Sequence, residues 1–374
     1  MRAADVVLTT FRLTGAGGAD ELAQAWSTLS PNGLDRLVHY EGGALWLERR
    51  LPEVGARPAP DFMAWLTRAT RATTARTMIV EAAAADALSK LAVLGVPVIL
   101  LKGVARRAAA AAGLHPWADA RPTHDVDLLV PESAAQEAWE RLQTLGYMEA
   151  PPPPGGPFRT VHLRPLWNQH RVAVEIHTST ALAVPPSEAW RRQSQGARTV
   201  GWMGLPCLIP SSTELVWHAI THGLQHGPDA YRLRHFLDAA AILEPGAAAV
   251  DWSVIRDRLK AGEDAPAEVV WAWLAAAAWL GGLSTPPLPE LRDGAAELPL
   301  DRLLRWRLAV LRYLPFTNRM GERLIHEGTR AEVSMPLTPT VPGTPLWKRA
   351  RRRSAAAAAR IAFLLWRGVQ AHNR

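Results

Sequence analysis

Asp125-Val126-Asp127 is the part of this 374-residue sequence on which chemistry can first be built. In extended backbone, residues i and i+2 project from one face about 6.5–7 Å apart, so both carboxylates address one place. Hard oxygen ligands at that separation can share divalent cations, and two-metal phosphoryl-transfer sites hold their ions about 3.5–4 Å apart. The apolar run Leu128-Leu129-Val130 follows at once. Burying such a strand is costly unless a cation or base compensates the like charges. DxD also occurs in solvated turns, so the pair alone does not fix a function. A third acid, Glu175, stands in Val172-Ala-Val-Glu-Ile-His177. Alternation of Val172, Val174 and Ile176 puts Glu175 on the opposite face, which must be the aspartate face if all three acids share metal. There it would complete a metal's shell or accept the proton of an incoming hydroxyl. The alternative is a glutamate on the solvated face of an edge strand. His177 falls on the same side and reads as an orienting or packing residue.

Leu101-Lys102-Gly103 lies where a strand meets a helix, so free helical amides can face a phosphate there. Gly103 would admit a close approach to backbone, and Lys102 could neutralise triphosphate charge, with a solvated lysine at a strand end as the other reading. Arg106 and Arg107 open the next helix, and Arg121 precedes Asp125 by four residues. Either region could supply a cation to the triphosphate, although isolated arginines are more often surface residues. His218, His222 and His226 recur along one helical face, followed by His235 and Asp238. A zinc site is conceivable, but three successive turns cannot surround one ion and the glutamate of an HExxH arrangement is absent. Packing beside the core is the expectation for these histidines.

The elements that must position these residues are legible in outline. Residues 18–94 are mainly helical, with apolar residues at threes and fours and a stop at Gly95 and Pro97. Val96–Leu101 reads as a buried strand, followed by the short helix from Val104, the strand from Asp125 to Val130, and a helix from Glu132 to Leu145 closed by Gly146. The extended stretches 159–165 and 171–178 complete the core. After Pro206 the pattern is helical again, opening at Ser211-Ser212-Thr213-Glu214. Expected divisions are an N-terminal helical region over 1–94, a catalytic core over 95–205, a C-terminal helical domain over 206–335, and a proline-rich linker with a basic amphipathic helix over 336–374. No internal repeat of fixed period is found.

Composition bounds the class. Apolar residues are 48% and charged residues 21%, the balance of a globular chain. Cys207 is the only cysteine, which excludes an intrachain disulfide framework or thiolate metal cluster and suits a reducing compartment. The first residues do not read as a secretory signal. The longest apolar run, Val269–Leu283, contains two glycines and falls short of the ~20 residues of a membrane span. The net charge of +7 is a property of the tail, since residues 345–374 carry +8 and the other 344 carry −1.

Leu100-Leu-Lys-Gly103, Arg121-Pro-Thr-His-Asp-Val-Asp-Leu-Leu-Val130, Gly146-Tyr147 and Val174-Glu-Ile-His177 occur in order. Together they resemble the uncharacterised nucleotidyltransferase family of bacterial genomes, within the polymerase-beta-type nucleotidyltransferase superfamily. The likeness is strong over residues 75–180 and looser over 210–252. It implies an α+β fold, a mixed-sheet nucleotidyltransferase (polymerase-beta-like) core flanked by N-terminal and C-terminal helical regions. It also implies transfer of a nucleoside monophosphate from an NTP, with ATP the expected one, to an acceptor with release of pyrophosphate. Asp125, Asp127 and Glu175 would hold Mg2+, with Mn2+ the alternative, while Lys102, Gly103 and Arg121 would hold the triphosphate. Lys102-Gly103 stands where the superfamily has Gly-Ser, so the phosphate contact lacks its usual hydroxyl. The acceptor, whether small molecule, peptide, protein or RNA, is not encoded in any motif; the basic C-terminal tail is expected to contact polyanions. A cytoplasmic enzyme is the expectation, and a non-catalytic nucleotide-binding or scaffold protein with the same fold is the rival.

Overall fold

The computed structural model describes residues 42–151, 161–225, 233–246, 250–261 and 267–282, with a few single positions between 10 and 26. Helices α1 (Ala44–Glu53) and α2 (Pro60–Ala92) lead into the sheet. The 33 residues of α2 span about 50 Å. It starts on Pro60 with Asp61 in the first turn and carries Lys90 in the last, charges that complement the helix dipole. Leu66, Ala69, Thr70, Thr77, Val80, Ala84, Ala87, Leu88 and Leu91 are its buried stripe, recurring mainly at threes and fours. Gly95 has φ +66 with open space where a Cβ would stand, so a left-handed backbone, and not packing, demands glycine at this stop.

The remaining elements alternate around one sheet: β1 (Ile99–Leu100), α3 (Lys102–Ala111), β2 (Val126–Leu129), α4 (Glu132–Thr144), β3 (Met148–Glu149), β4 (Leu166–Trp167), β5 (Ala173–His177), α5 (Pro186–Ser194), β6 (Arg198–Trp202) and β7 (Leu205–Ile209). Their order in space is β3-β4-β5-β2-β1-β7-β6. β2 lies parallel to β5 and antiparallel to β1, β7 lies parallel to β1, and the outer pairs are antiparallel. This is the expected α+β mixed sheet. The strand expected over Val96–Leu101 is only Ile99–Leu100, because the left-handed Lys102 turns the chain into α3 at once. Of the extended stretch at 159–165, the described part holds a single bridge, from His162 to His177. The hairpin β6–β7 was not legible, since its outer strand is mostly exposed and its inner strand carries Pro206 and little alternation; it continues the sheet beyond Pro206 before helix begins at Ser212.

One face of the sheet, through Leu100, Val126, Leu128, Val174 and Ile176, joins the main core. The other face bears a small cluster, Ile99, Leu101 and Leu129, with Trp190 of α5 and Leu208 against it. By the alternation of β2 and β5, Asp127, Glu175 and His177 lie on this second face with Leu129.

α6 (Ser212–Gln225), α7 (Leu233–Gly246), α8 (Trp252–Ala261) and α9 (Ala267–Leu280) follow. Phe236 meets Trp273 at 4.4 Å between ring centroids, and Trp26, Trp46 and Trp273 are fully buried in the core. Buried polar links tie these helices to one another and to the segments beside the sheet: Gln193 of α5 donates to Glu214 at 2.8 Å, Arg258 pairs with the same glutamate, and His115 lies 3.0 Å from Ser212 Oγ. No helix among the described residues is long and apolar enough to cross a membrane. His226, the proline-rich segment and the basic tail lie outside the described residues.

Candidate active site

Parallel pairing of β2 with β5 sets Asp127 opposite Glu175 in register, and Val126 opposite Val174. The chain between them thereby delivers a fully buried carboxylate and a partly exposed one, at 0% and 17% side-chain exposure, to one spot. Lys102 reaches that spot from the first turn of α3. Its Nζ lies 2.6 Å from Asp127 Oδ1 and 4.0 Å from Glu175 Oε2. Its φ of +46 is left-handed, a conformation that costs a β-carbon-bearing residue about 1–3 kcal/mol and tends to persist where surroundings over-determine it. The compensating base that a buried acidic strand requires is therefore Lys102.

His177, two residues beyond Glu175 on the same face, places Nε2 2.9 Å from Asp127 Oδ1 and 3.3 Å from Glu175 Oε2. Its Nδ1 is 3.4 Å from the Ser179 carbonyl oxygen. His162 lies 3.7 Å from Glu175 Oε2, its ring 5.1 Å from that of His177. Sequence reasoning passed over His162 because only the bridge to His177 brings it here.

The charges interlock. Burial works against the Lys102 ammonium, but Asp127, then Glu175 and Asp125, outweigh it and raise its pKa. Burial also works against the Asp127 carboxylate, which Lys102 and His177 nevertheless hold well below the usual range. Glu175 is lowered as well, its burial outweighed chiefly by the hydrogen bond from His177. Burial and Lys102 oppose the imidazolium of His177, and its two carboxylate partners raise it regardless. Asp125 behaves differently: burial and then the charge of Asp127 push it up to about 6.

Ligand atoms of Asp127, Glu175 and His177 all lie within 4.8 Å of one another, a grouping that could hold a metal ion. Asp125 stands outside this group, although it feels the charges of Asp127, Lys102 and Glu175. Asp127 Oδ2 is buried without a hydrogen-bond partner among the described residues, an orphaned acceptor of the kind a cation satisfies. Two carboxylates and one imidazole offer oxygen and nitrogen ligands of the kinds that divalent cations take.

The other sequence-selected residues lie beside this cluster. A Cβ on Gly103 would meet Thr123 Cγ2 at 2.8 Å and Arg121 Nη1 at 3.1 Å, so the missing side chain is what lets the Arg121–Thr123 segment close on α3. Arg121 Nε lies 2.7 Å from Asp238 Oδ1 in an ion pair, and Arg106 Nη2 lies 3.1 Å from the other oxygen of Asp238. Arg107 turns away to Glu81 at 2.7 Å. Asp238, on α7, had no signal in sequence beyond its nearness to His235. The α6 histidines do not gather as ligands among the described residues: His218 and His222 meet edge to face at 5.7 Å, and burial lowers His218 to about 3.

A family model for nucleotidyltransferases matches residues 32–280, which sets this chain in the class of nucleotidyl-transferring proteins. Within that class, the chain belongs to the uncharacterised nucleotidyltransferase family. Among solved structures, the solution structure of the antibiotic-resistance factor ANT(2″)-Ia is similar at 17% identity, covering 50% of this chain and 95% of that one, with a TM-score of 0.35, too distant to transfer residue roles. No curated protein matches the sequence.

Proposed function

We propose that this protein moves a nucleoside monophosphate from an NTP, with ATP the first to test, to a hydroxyl of an acceptor. The observation that carries this reading is the register pairing of Asp127 with Glu175 on a sheet face that also holds Asp125's charge and the Lys102 ammonium. Asp125, Asp127 and Glu175 would hold Mg2+ or Mn2+, with His177 oriented on two of them; bound there, the ion would withdraw charge from phosphoryl oxygens. Glu175 is the more exposed carboxylate of the facing pair and takes the proton of the acceptor hydroxyl. The hydroxyl oxygen bonds to the α-phosphorus, the bond from that phosphorus to the β-bridging oxygen breaks, and pyrophosphate leaves with the electron pair. Lys102, once its carboxylate partners are otherwise neutralised, turns to the triphosphate, and Arg121 meets the same anion above Gly103. A cytoplasmic location, where NTPs and a reducing milieu coincide, suits the buried, free Cys207.

The 2.6 Å contact of Lys102 with Asp127 favours a second reading, a scaffold in which lysine permanently stands in for metal. Turnover separates the two. Wild-type protein is incubated with each labelled NTP, Mg2+ or Mn2+, and cell extract, following pyrophosphate and the labelled product. Metal-dependent release that is lost in Asp127→Asn supports transfer; binding of nucleotide without release from any NTP supports the scaffold.

A further inference from the structure

Asp238 sits on α7, in the helical part of the chain, and its carboxylate pairs with two arginines from the segment around α3. Its two oxygens lie 2.7 Å from Arg121 Nε and 3.1 Å from Arg106 Nη2. The three side chains are 3%, 16% and 5% exposed for Asp238, Arg121 and Arg106. Two guanidiniums on one carboxylate leave a surplus of positive charge in a buried place, and the two repel: burial, together with Arg121 and against the pull of Asp238, brings Arg106 down to about 10. A structural cross-link alone would be better served by one arginine, since each further buried ion adds a desolvation cost. The surplus has a direction. Arg106 is the enclosed member, whereas Arg121 retains exposure and sets Nη1 3.1 Å from the position a Gly103 Cβ would take, over the N-terminal turn of α3. The Asp238 carboxylate meets the guanidinium on its Nε side as an ion pair, without a hydrogen bond of good angle, and Nη1 is the atom that faces that turn.

We propose that Asp238 is a positioning residue for the nucleotide: acting through Arg121, it fixes the Nη edge where the polyphosphate lies, and so makes NTP affinity depend on docking of α7 against α3. This rests on the nucleotide reading of the site given above. Being pre-oriented, Arg121 loses little rotamer freedom when the anion arrives, the main advantage of a planar fork over a lysine.

Asp238→Asn keeps the volume and removes the charge. It raises KM for the NTP, and the Kd for ATP and for inorganic tripolyphosphate by equilibrium dialysis, by about tenfold or more, with kcat within about threefold of wild type. Asp238→Glu recovers much of the loss. Arg121→Lys weakens binding to a similar degree, and the double variant Arg121→Lys/Asp238→Asn is no weaker than the poorer single, since one residue acts through the other. Circular dichroism and gel filtration confirm folding; should Asp238→Asn fail to fold, Asp238→Glu and Arg121→Lys carry the same affinity readout. Wild-type affinity in the variants, a loss confined to kcat, or additive losses in the double would overturn the proposal. If wild type turns over and Asp238→Asn binds normally, positioning alone fails. If binding depends on Asp238 but wild type releases no pyrophosphate, the transfer reading fails and positioning stands. Wild type binding neither probe overturns both.

Discussion

Asp125 and Asp127 differ by two positions in sequence but stand in opposite electrostatic situations. Asp127 is compensated by Lys102 and His177, whereas Asp125 is buried beside a like charge and held up near 6. A carboxyl whose folded pKa lies above its unfolded value of 3.8 loses stability as pH rises through that window, and the penalty is complete above about pH 6. In the presence of a chelator, Asp125→Asn should therefore raise the melting temperature at pH 8 and leave it unchanged near pH 3.5. Asp127→Asn should lower it at pH 8, because a buried lysine loses its 2.6 Å partner, a loss of about 3–5 kcal/mol for a broken buried pair. Equal shifts in the two variants would refute the distinction. Glu175→Gln preserves volume and the β2–β5 register while removing the proton acceptor. Nucleotide binding should survive and turnover fall by about two orders of magnitude or more, mainly in kcat; near-normal turnover would remove Glu175 from the chemistry.

At the scale of elements, the site depends on how the helices around it are tied down. His115, ahead of a short 3-10 turn (Pro116–Asp119), meets the first residue of α6 at Ser212. Burial, with Arg198 adding to it, depresses the histidine to about 4. A depressed histidine contributes stability that is whole above its unfolded pKa of 6.5 and is lost as pH falls from there toward 4. Urea unfolding of wild type should thus weaken across that interval, with His115 contributing a slope of up to about 1.4 kcal/mol per pH unit. His115→Gln, which can still hydrogen-bond to Ser212, should flatten the profile; an unchanged slope would mean that His115 does not couple the sheet to α6. His218, lowered to about 3, acts in the same direction, and Asp125, held up to about 6, acts in the opposite one.

At the scale of the whole molecule, the sequence places its surplus charge apart from its motifs, since the +8 of residues 345–374 lies outside all four of them and outside the described residues. Removing residues 346–374 should weaken binding to RNA or anionic vesicles and flatten its dependence on salt, because fewer counterions are released. Nucleotide transfer to a small acceptor should continue. If it stops in a truncation that still folds, the tail belongs to the active site. The sequence alone determined the order of helices and strands through the core, the long helices with their stops at Gly95 and Gly146, and the opposite facing of Glu175 from Val172, Val174 and Ile176, because periodicity and turn chemistry are local properties, while the resemblance of its four motifs implied the α+β class. It could also require a counter-charge for a buried acidic strand. Which base supplies that charge was decided by the tertiary structure, as were the proximity of His162, the β6–β7 hairpin and the clasp of Asp238 on Arg121. These depend on strand register and helix docking between segments far apart in the chain, where only packing of the assembled core selects one pairing among many.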